Sequence, residues 1–194
     1  GNGVWTVEIL PAELEPPHHT VTSTSGNIIR FGPDKVTNWG DQSKLAVAFN
    51  DQVCLSRHRL ASFDDNCIIL QEASWENHED ENIRTMYAEA MEEMSSKNYR
   101  FIQVPIEEET LKVVDNPQHG KNMFALGLLA EIYQRDLSII EKQIAHIFHK
   151  KPAKVTEPNI QLVKNGIRMG IILFIISLNV KSLTSILHQM DSSH

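Results

Sequence analysis

Cysteine is scarce in this chain. Its 194 residues hold two, Cys54 and Cys67. Two thiols cannot build a disulfide framework, nor fill a four-thiolate zinc or iron–sulfur centre. That scarcity favours a reducing, intracellular setting. Positive charge is also short: 18 Lys and Arg against 25 Asp and Glu leave a net charge of −7. The basic face that nucleic acid requires is therefore not expected. Long apolar runs are missing as well. The most hydrophobic stretch, Gly170 to Val180 (GIILFIISLNV), is about half the ~20 residues of a membrane span, so it reads as a buried strand or helix. The first residues are mixed and polar, not basic and then apolar, so no signal peptide is expected and the chain is placed in the cytoplasm. No P-loop, G-x-S-x-G elbow or H-E-x-x-H occurs. The nine histidines suggest no metal site. His146 and His149 share a helix face, but no third ligand is placed beside them. No catalytic residue is named.

What is present is one domain's length of ordinary globular composition, with 41% hydrophobic residues, enough for a core. Short apolar runs alternate with helical periodicities. Thr20–Thr24, Leu45–Phe49, Cys67–Leu70 and Arg100–Val104 read as strands. Asp64-Asp65-Asn66 reads as a turn before the third of them. Asn50-Asp51 starts a helix through Val53, Leu55 and His58. Between Glu79 and Lys97, Ile83, Tyr87, Ala90, Met91 and Met94 share one helix face. Further helices are predicted over Glu107–Val114, Asn122–Tyr133 and from the N-cap Asp136 through Ile147. A last one runs from Pro158 to Asn165, with Gly166 as a left-handed C-cap. Strands separated by helices predict an α/β fold. It is a three-layer α/β/α arrangement with a mostly parallel, mixed sheet and a helix-rich C-terminal half.

Gly1-Asn2-Gly3-Val4-Trp5-Thr6 is a G-x-G turn leading into a possible helix. Such a turn brings backbone amides close to an anion at a helix N-terminus, which suits phosphate. A tight turn with no ligand reads equally well. The acidic run Glu107-Glu108-Glu109 fits the first turn of a helix. Cys54 and Cys67 are small core residues.

The segment from Ile106 to Tyr133, IEEETLKVVDNPQHGKNMFALGLLAEIY, resembles the gamma-type domain of the 2-oxoacid:acceptor oxidoreductase family. The nearest version is that of the alpha subunit of 2-oxoglutarate:ferredoxin oxidoreductases. A lysine–asparagine pair followed by an apolar helix with a central glycine is matched by Lys121, Asn122, Met123, Phe124, Ala125, Leu126 and Gly127. Ile140 to Phe148, Lys150-Lys151 and Asn159 to Gly166 resemble the family's next helix, basic turn and final helix. Leu45 to Asn50 is similar to its polar-ended strand. Gly1 to Leu10 is similar to its glycine turn, and Ile29-Arg30 and Gly32 to its isoleucine–arginine–glycine loop. The resemblance covers residues 1–168, read as one gamma-type domain, with 169–194 as an atypical apolar segment. The strand that precedes the family's glycine turn is absent, which implies a piece of a larger protein or a chain with altered ends.

The resemblance implies a component of a coenzyme A-dependent oxidoreductase that decarboxylates a 2-oxoacid such as 2-oxoglutarate. Electrons would pass to ferredoxin or flavodoxin. Thiamine diphosphate, Mg²⁺ and iron–sulfur clusters would be held by partner subunits or domains, and coenzyme A would be bound in the full complex. This chain would hold none of these itself and would be inactive alone. It is expected in a hetero-oligomer, or as a homodimer when alone. Gly1, Asn2, Gly3, Thr6, Arg30, Lys121 and Asn122 are the candidate cofactor-binding residues. Two alternatives stand beside this reading: a free-standing nucleotide- or phosphate-binding module resting on the glycine turn, and a structural interaction domain without catalysis.

Overall fold

The computed structural model describes residues 3–9 and 26–191, which fall into two compact units, Gly1–Pro105 and Ile106–His194. The predicted strand Thr20–Thr24 lies outside the described residues.

In the first unit, β1 (Gly3–Ile9) and β2 (Gly26–Gly32) form an antiparallel ribbon in which Trp5 faces Arg30 and Thr6 faces Ile29. The expected helix after the glycine turn is therefore a strand. Val4, Trp5, Thr6, Val7 and Ile9 are all residues that fit a pleated strand, and that local preference prevails over the turn signal at Gly3.

A separate parallel sheet follows, in the order β3-β4-β5, from β3 (Ser43–Ala48), β4 (Phe63–Glu72) and β5 (Arg100–Val104). Crossover helices α1 (Asp51–Arg59) and α2 (Glu81–Met94) connect them, as parallel pairing requires. Asn50 caps α1, accepting from the amides of Gln52 at 2.9 Å and Val53 at 3.1 Å. Asp80 caps α2 through the Asn82 amide at 2.8 Å. The core between sheet and helices gathers Phe63, Ile69, Ala90, Met94 and both cysteines.

Asp64-Asp65-Asn66 does not end a strand but lies inside β4. The register passes from Ser43 opposite Phe63 to Leu45 opposite Ile68, so the polar triplet is extruded as a bulge, with the Asn66 amide bonded to Asp64 Oδ1 at 3.0 Å.

The second unit is helical: α3 (Ile106–Leu111), α4 (Lys121–Ile132), α5 (Leu137–Ile147) and α6 (Ala153–Asp191), with one 3₁₀ turn at Pro117–His119. α4 ends in a Schellman motif, with Gln134 at φ 51° and the Arg135 amide reaching the Ala130 carbonyl at 2.7 Å. The first unit repeats this device after α1, with Ala61 at φ 51° and the Ser62 amide on Arg57 O at 3.0 Å.

α6 overturns two expectations. Gly166 is no C-cap; the helix runs unbroken through it. The reason lies in packing. A Cβ on Gly166 would stand 2.0 Å from the Phe124 carbonyl oxygen, and one on Gly127 would stand 2.0 Å from that of Val163. The two glycines let α4 and α6 meet backbone to backbone, so the residue that would stop an isolated helix is here required inside one. Nor is the apolar stretch after Gly170 buried over residues 171–176. Ile171, Phe174, Ile175 and Ile176 are exposed, Phe174 by 63%. Within α6, Ala153–Ile176 is long and apolar enough to cross a membrane by length and composition alone. Its Leu162 and Val163 are fully buried in the unit's core.

Candidate functional site

The seven candidate residues divide between the two units. Gly1 and Asn2 lie outside the described residues. Gly3, Thr6 and Arg30 lie on the β1–β2 ribbon, and Lys121 and Asn122 open α4.

Gly3 is a true close-approach position. A Cβ there would meet Asp34 O at 2.1 Å and Val36 N at 2.7 Å. The approach is to the chain's own backbone, and with a strand behind it no helix N-terminus is presented at this glycine. Thr6 is exposed in mid-strand. Arg30 donates from Nη1 to Asn38 Oδ1, which also accepts from the Gly40 amide at 3.0 Å. Gly40 has φ +79°, so this turn needs its glycine. Arg30 therefore anchors the turn at residues 38–40.

Lys121 and Asn122 stand in the first turn of α4. Gly120 precedes them as N-cap, and no side chain caps the helix. First-turn amides and a lysine coincide here, the combination that favours an anion. A Cβ on Gly120 would stand 2.4 Å from Leu162 Cδ1, so the glycine packs closely on that side chain.

A third group was not anticipated from the sequence. In open parallel sheets ligands bind beyond the carboxyl ends of the strands, and at that end the first unit buries polar side chains. Asp51 is 1% exposed and Gln71 is fully buried. Gln52 Nε2 donates to Asp51 Oδ2 at 2.8 Å and to the Met86 carbonyl at 3.3 Å. Gln103 Nε2 donates to Tyr87 Oη at 2.9 Å and to Gln71 Oε1 at 3.4 Å. Burial, then the carboxylate of Glu76, raises the Tyr87 pKa, partly offset by Gln103. Its hydroxyl stays neutral and able to donate. The available signal was polar residues closing two apolar strands, Gln71-Glu72 and Gln103.

The cysteines are inert. Burial first, then the neighbouring Cys67, pushes the Cys54 thiol up to about 12. Burial and Asp64 push Cys67 to about 11. At neutral pH neither is a thiolate, so neither is a nucleophile or ready metal ligand. Among the described residues no three His, Cys, Asp or Glu side chains are grouped to hold a metal ion. His146 and His149 stack with centroids 5.9 Å apart, and His149 Nδ1 lies 2.6 Å from the His146 carbonyl oxygen.

The profile of one protein family, described as pyruvate ferredoxin/flavodoxin oxidoreductase, matches residues 23–169. The chain is 26% identical over 182 residues to the 2-oxoglutarate oxidoreductase subunit KorA of Mycobacterium tuberculosis, covering 88% of this chain and 27% of that protein. Among solved structures it resembles the 2-oxoglutarate:ferredoxin oxidoreductase from Magnetococcus marinus with 2-oxoglutarate, coenzyme A and succinyl-CoA bound. That likeness has a TM-score of 0.63 at 18% identity, over 89% of this chain and 26% of the other. It is a likeness of fold. The chain thus spans about a quarter of the length of these relatives.

Proposed function

The chain belongs to the pyruvate ferredoxin/flavodoxin oxidoreductase family, and on that premise we propose that it is the gamma-type component of a 2-oxoacid:ferredoxin oxidoreductase. The activity it serves is coenzyme A-dependent oxidative decarboxylation of a 2-oxoacid such as 2-oxoglutarate, in the cytoplasm, with electrons leaving to ferredoxin or flavodoxin. The observation that carries this reading is the family match across residues 23–169, which encloses the Lys121–Gly127 motif and both glycines of the α4–α6 seam, Gly127 and Gly166.

The chain's own residues limit its part. A four-thiolate cluster does not fit a chain with two cysteines, both buried and protonated. No grouped donor set for the magnesium of a thiamine diphosphate occurs among the described residues. No step is therefore assigned here to those groups, and partner subunits or domains are proposed to carry them. Coenzyme A is different, because its phosphates suit a helix start with a cation. We assign Lys121 and Asn122, at the uncapped start of α4, to the coenzyme A approach. When bound, coenzyme A supplies the thiol that accepts the acyl group. The chain's part is to bind and orient its phosphates.

The test is co-expression with a thiamine-binding partner under low-oxygen conditions that preserve clusters. A stable complex that reduces ferredoxin only when 2-oxoacid and coenzyme A are both present is expected. Failure to associate with such a partner removes the reading. Within the complex, Lys121→Ala should raise the apparent KM for coenzyme A several-fold and leave that for the 2-oxoacid unchanged.

A further inference from the structure

A cleft of ≈ 250 Å³ lies in the first unit, and none of the strand-end polar residues lines it. Val7 and Ile28 give it apolar surface from the β1–β2 ribbon. Trp39 lines it while remaining 57% exposed. Arg57, from the last turn of α1, and Asp41 bring one charge of each sign, and Ser43 and Ser62 bring hydroxyls.

The cleft is built by fixed backbone. Asn38 ties Arg30 to the Gly40 amide, and Gly40 occupies a left-handed φ. Gln42 Nε2 donates to the Ala61 carbonyl at 3.3 Å, and the Ser43 amide donates to Ser62 O at 2.8 Å. Ala61 adopts a left-handed φ of 51° beside it. Two unusual backbone positions thus flank one cleft, and the short loop that presents Trp39 is bonded at both ends.

The chemistry selects a ligand. An indole face takes a flat ring by stacking, and base–aromatic stacking tolerates any heteroaromatic ring. The guanidinium is a fork suited to phosphate oxygens. Asp41 and the serine hydroxyls accept from a ring amine or from ribose hydroxyls. The volume lies just below the roughly 300–1,000 Å³ of sites for whole drug-sized molecules, which fits one nucleoside with its first phosphate.

We propose that this cleft is a nucleotide site that stacks the base on Trp39 and holds the phosphate at Arg57. The same chemistry is offered by a free nucleotide and by the adenosine diphosphate end of a larger cofactor. The proposal stands on the isolated chain and does not depend on the subunit reading.

Calorimetric titration of the full chain with AMP, ADP, coenzyme A, adenosine and inorganic phosphate tests it. Saturable sub-millimolar binding of AMP and ADP is expected. Trp39→Ala should weaken both by about tenfold or more, the scale of one base stack, and Trp39→Phe should restore part of the loss. Arg57→Gln should weaken AMP at least fivefold and leave adenosine unchanged. Coenzyme A binding tighter than ADP identifies the larger cofactor as the source; coenzyme A equal to or weaker than ADP identifies the free nucleotide. No binding of AMP or ADP by the folded wild-type chain, or binding unaltered in both variants, overturns the proposal. Because Trp39 is exposed, Trp39→Ala is expected to keep the wild-type melting temperature, and that measurement separates lost binding from lost fold.

Discussion

A Cβ placed on Gly127 in α4 would stand 2.0 Å from the Val163 carbonyl oxygen, whereas one on Gly32 in β2 meets nothing within 4 Å. The same residue type does different work at these two positions. In the second unit, Gly127 and Gly166 set how closely two helix backbones approach, while Gly120 and Gly170 face side-chain atoms nearer than 3 Å. In the first unit, Gly3 is closed by the chain's own loop backbone, but Gly26 and Gly32 are open to space, and the core is made by interlocking side chains such as Phe63, Ile69 and Met94. A seam of backbone contacts admits no added atom, while a side-chain core responds to volume removed or charge added. The family-like motif at Lys121–Gly127 therefore contains a packing requirement in its glycine and a chemical opportunity in its lysine.

That contrast can be broken by experiment. Gly127→Ala or Gly166→Ala should be the most damaging change, at about 3 kcal/mol or more of overpacking against rigid backbone. Urea unfolding monitored by helical circular dichroism reads it. A loss below about 1 kcal/mol would mean that the seam opens freely.

Next in size is the first unit's response to alkali. Cys54 holds its proton up to about 12 when folded, whereas an unfolded thiol releases it near 9. The folded state then binds the extra proton, so the stabilisation is complete below pH 9 and is lost as pH rises toward 12. By pH 11 the loss is on the order of 2 kcal/mol. A Cys54→Ala variant should show a shallower fall between pH 9 and 11 in the same unfolding assay.

Removing the cap of α1 with Asn50→Ala should cost about 1 kcal/mol, seen as a lower urea midpoint with an unchanged slope. Glycine placed where the backbone already asks for it should help. Ala61→Gly and Gln134→Gly relieve left-handed positions of 51°, and each should gain about 0.5–1 kcal/mol. The smallest effect is expected for Gly32→Ala, within about 0.5 kcal/mol. A large loss there would erase the distinction between the two kinds of glycine.

Much of the fold was legible where one physical signal acted alone. Arg100–Val104 is a strand over the residues expected. Asn50 and Asp136 cap α1 and α5 because a short polar side chain before a helical periodicity has few other uses. Reading failed where two signals competed. At Gly3 the turn signal lost to the β preference of the residues after it. At Gly166 the stop signal lost to a contact with α4 that no local window contains. At Asp64-Asp65-Asn66 the turn signal was real, but the chain answered it with a bulge inside β4. The Lys121–Asn122 pair was found through resemblance. The Gln71–Gln103 and Tyr87–Gln103 contacts were not found, because cross-strand register and helix packing, which no spacing along the chain reveals, bring those side chains together.

The unbroken course of α6 has a mechanical consequence. At 1.5 Å per residue, α4 with its 12 residues is about 18 Å long and α6 with its 39 is about 58 Å. The shorter helix can therefore brace no more than a third of the longer one. From Gly166 to Asp191 the axis runs on for about 37 Å. Gly166 and Gly127 thus act as a fulcrum about a third of the way along a stiff lever. A tilt of about 10° at that crossing carries the tip through about 6 Å, so a fraction of an ångström given up at two glycines is magnified into a displacement larger than a side chain.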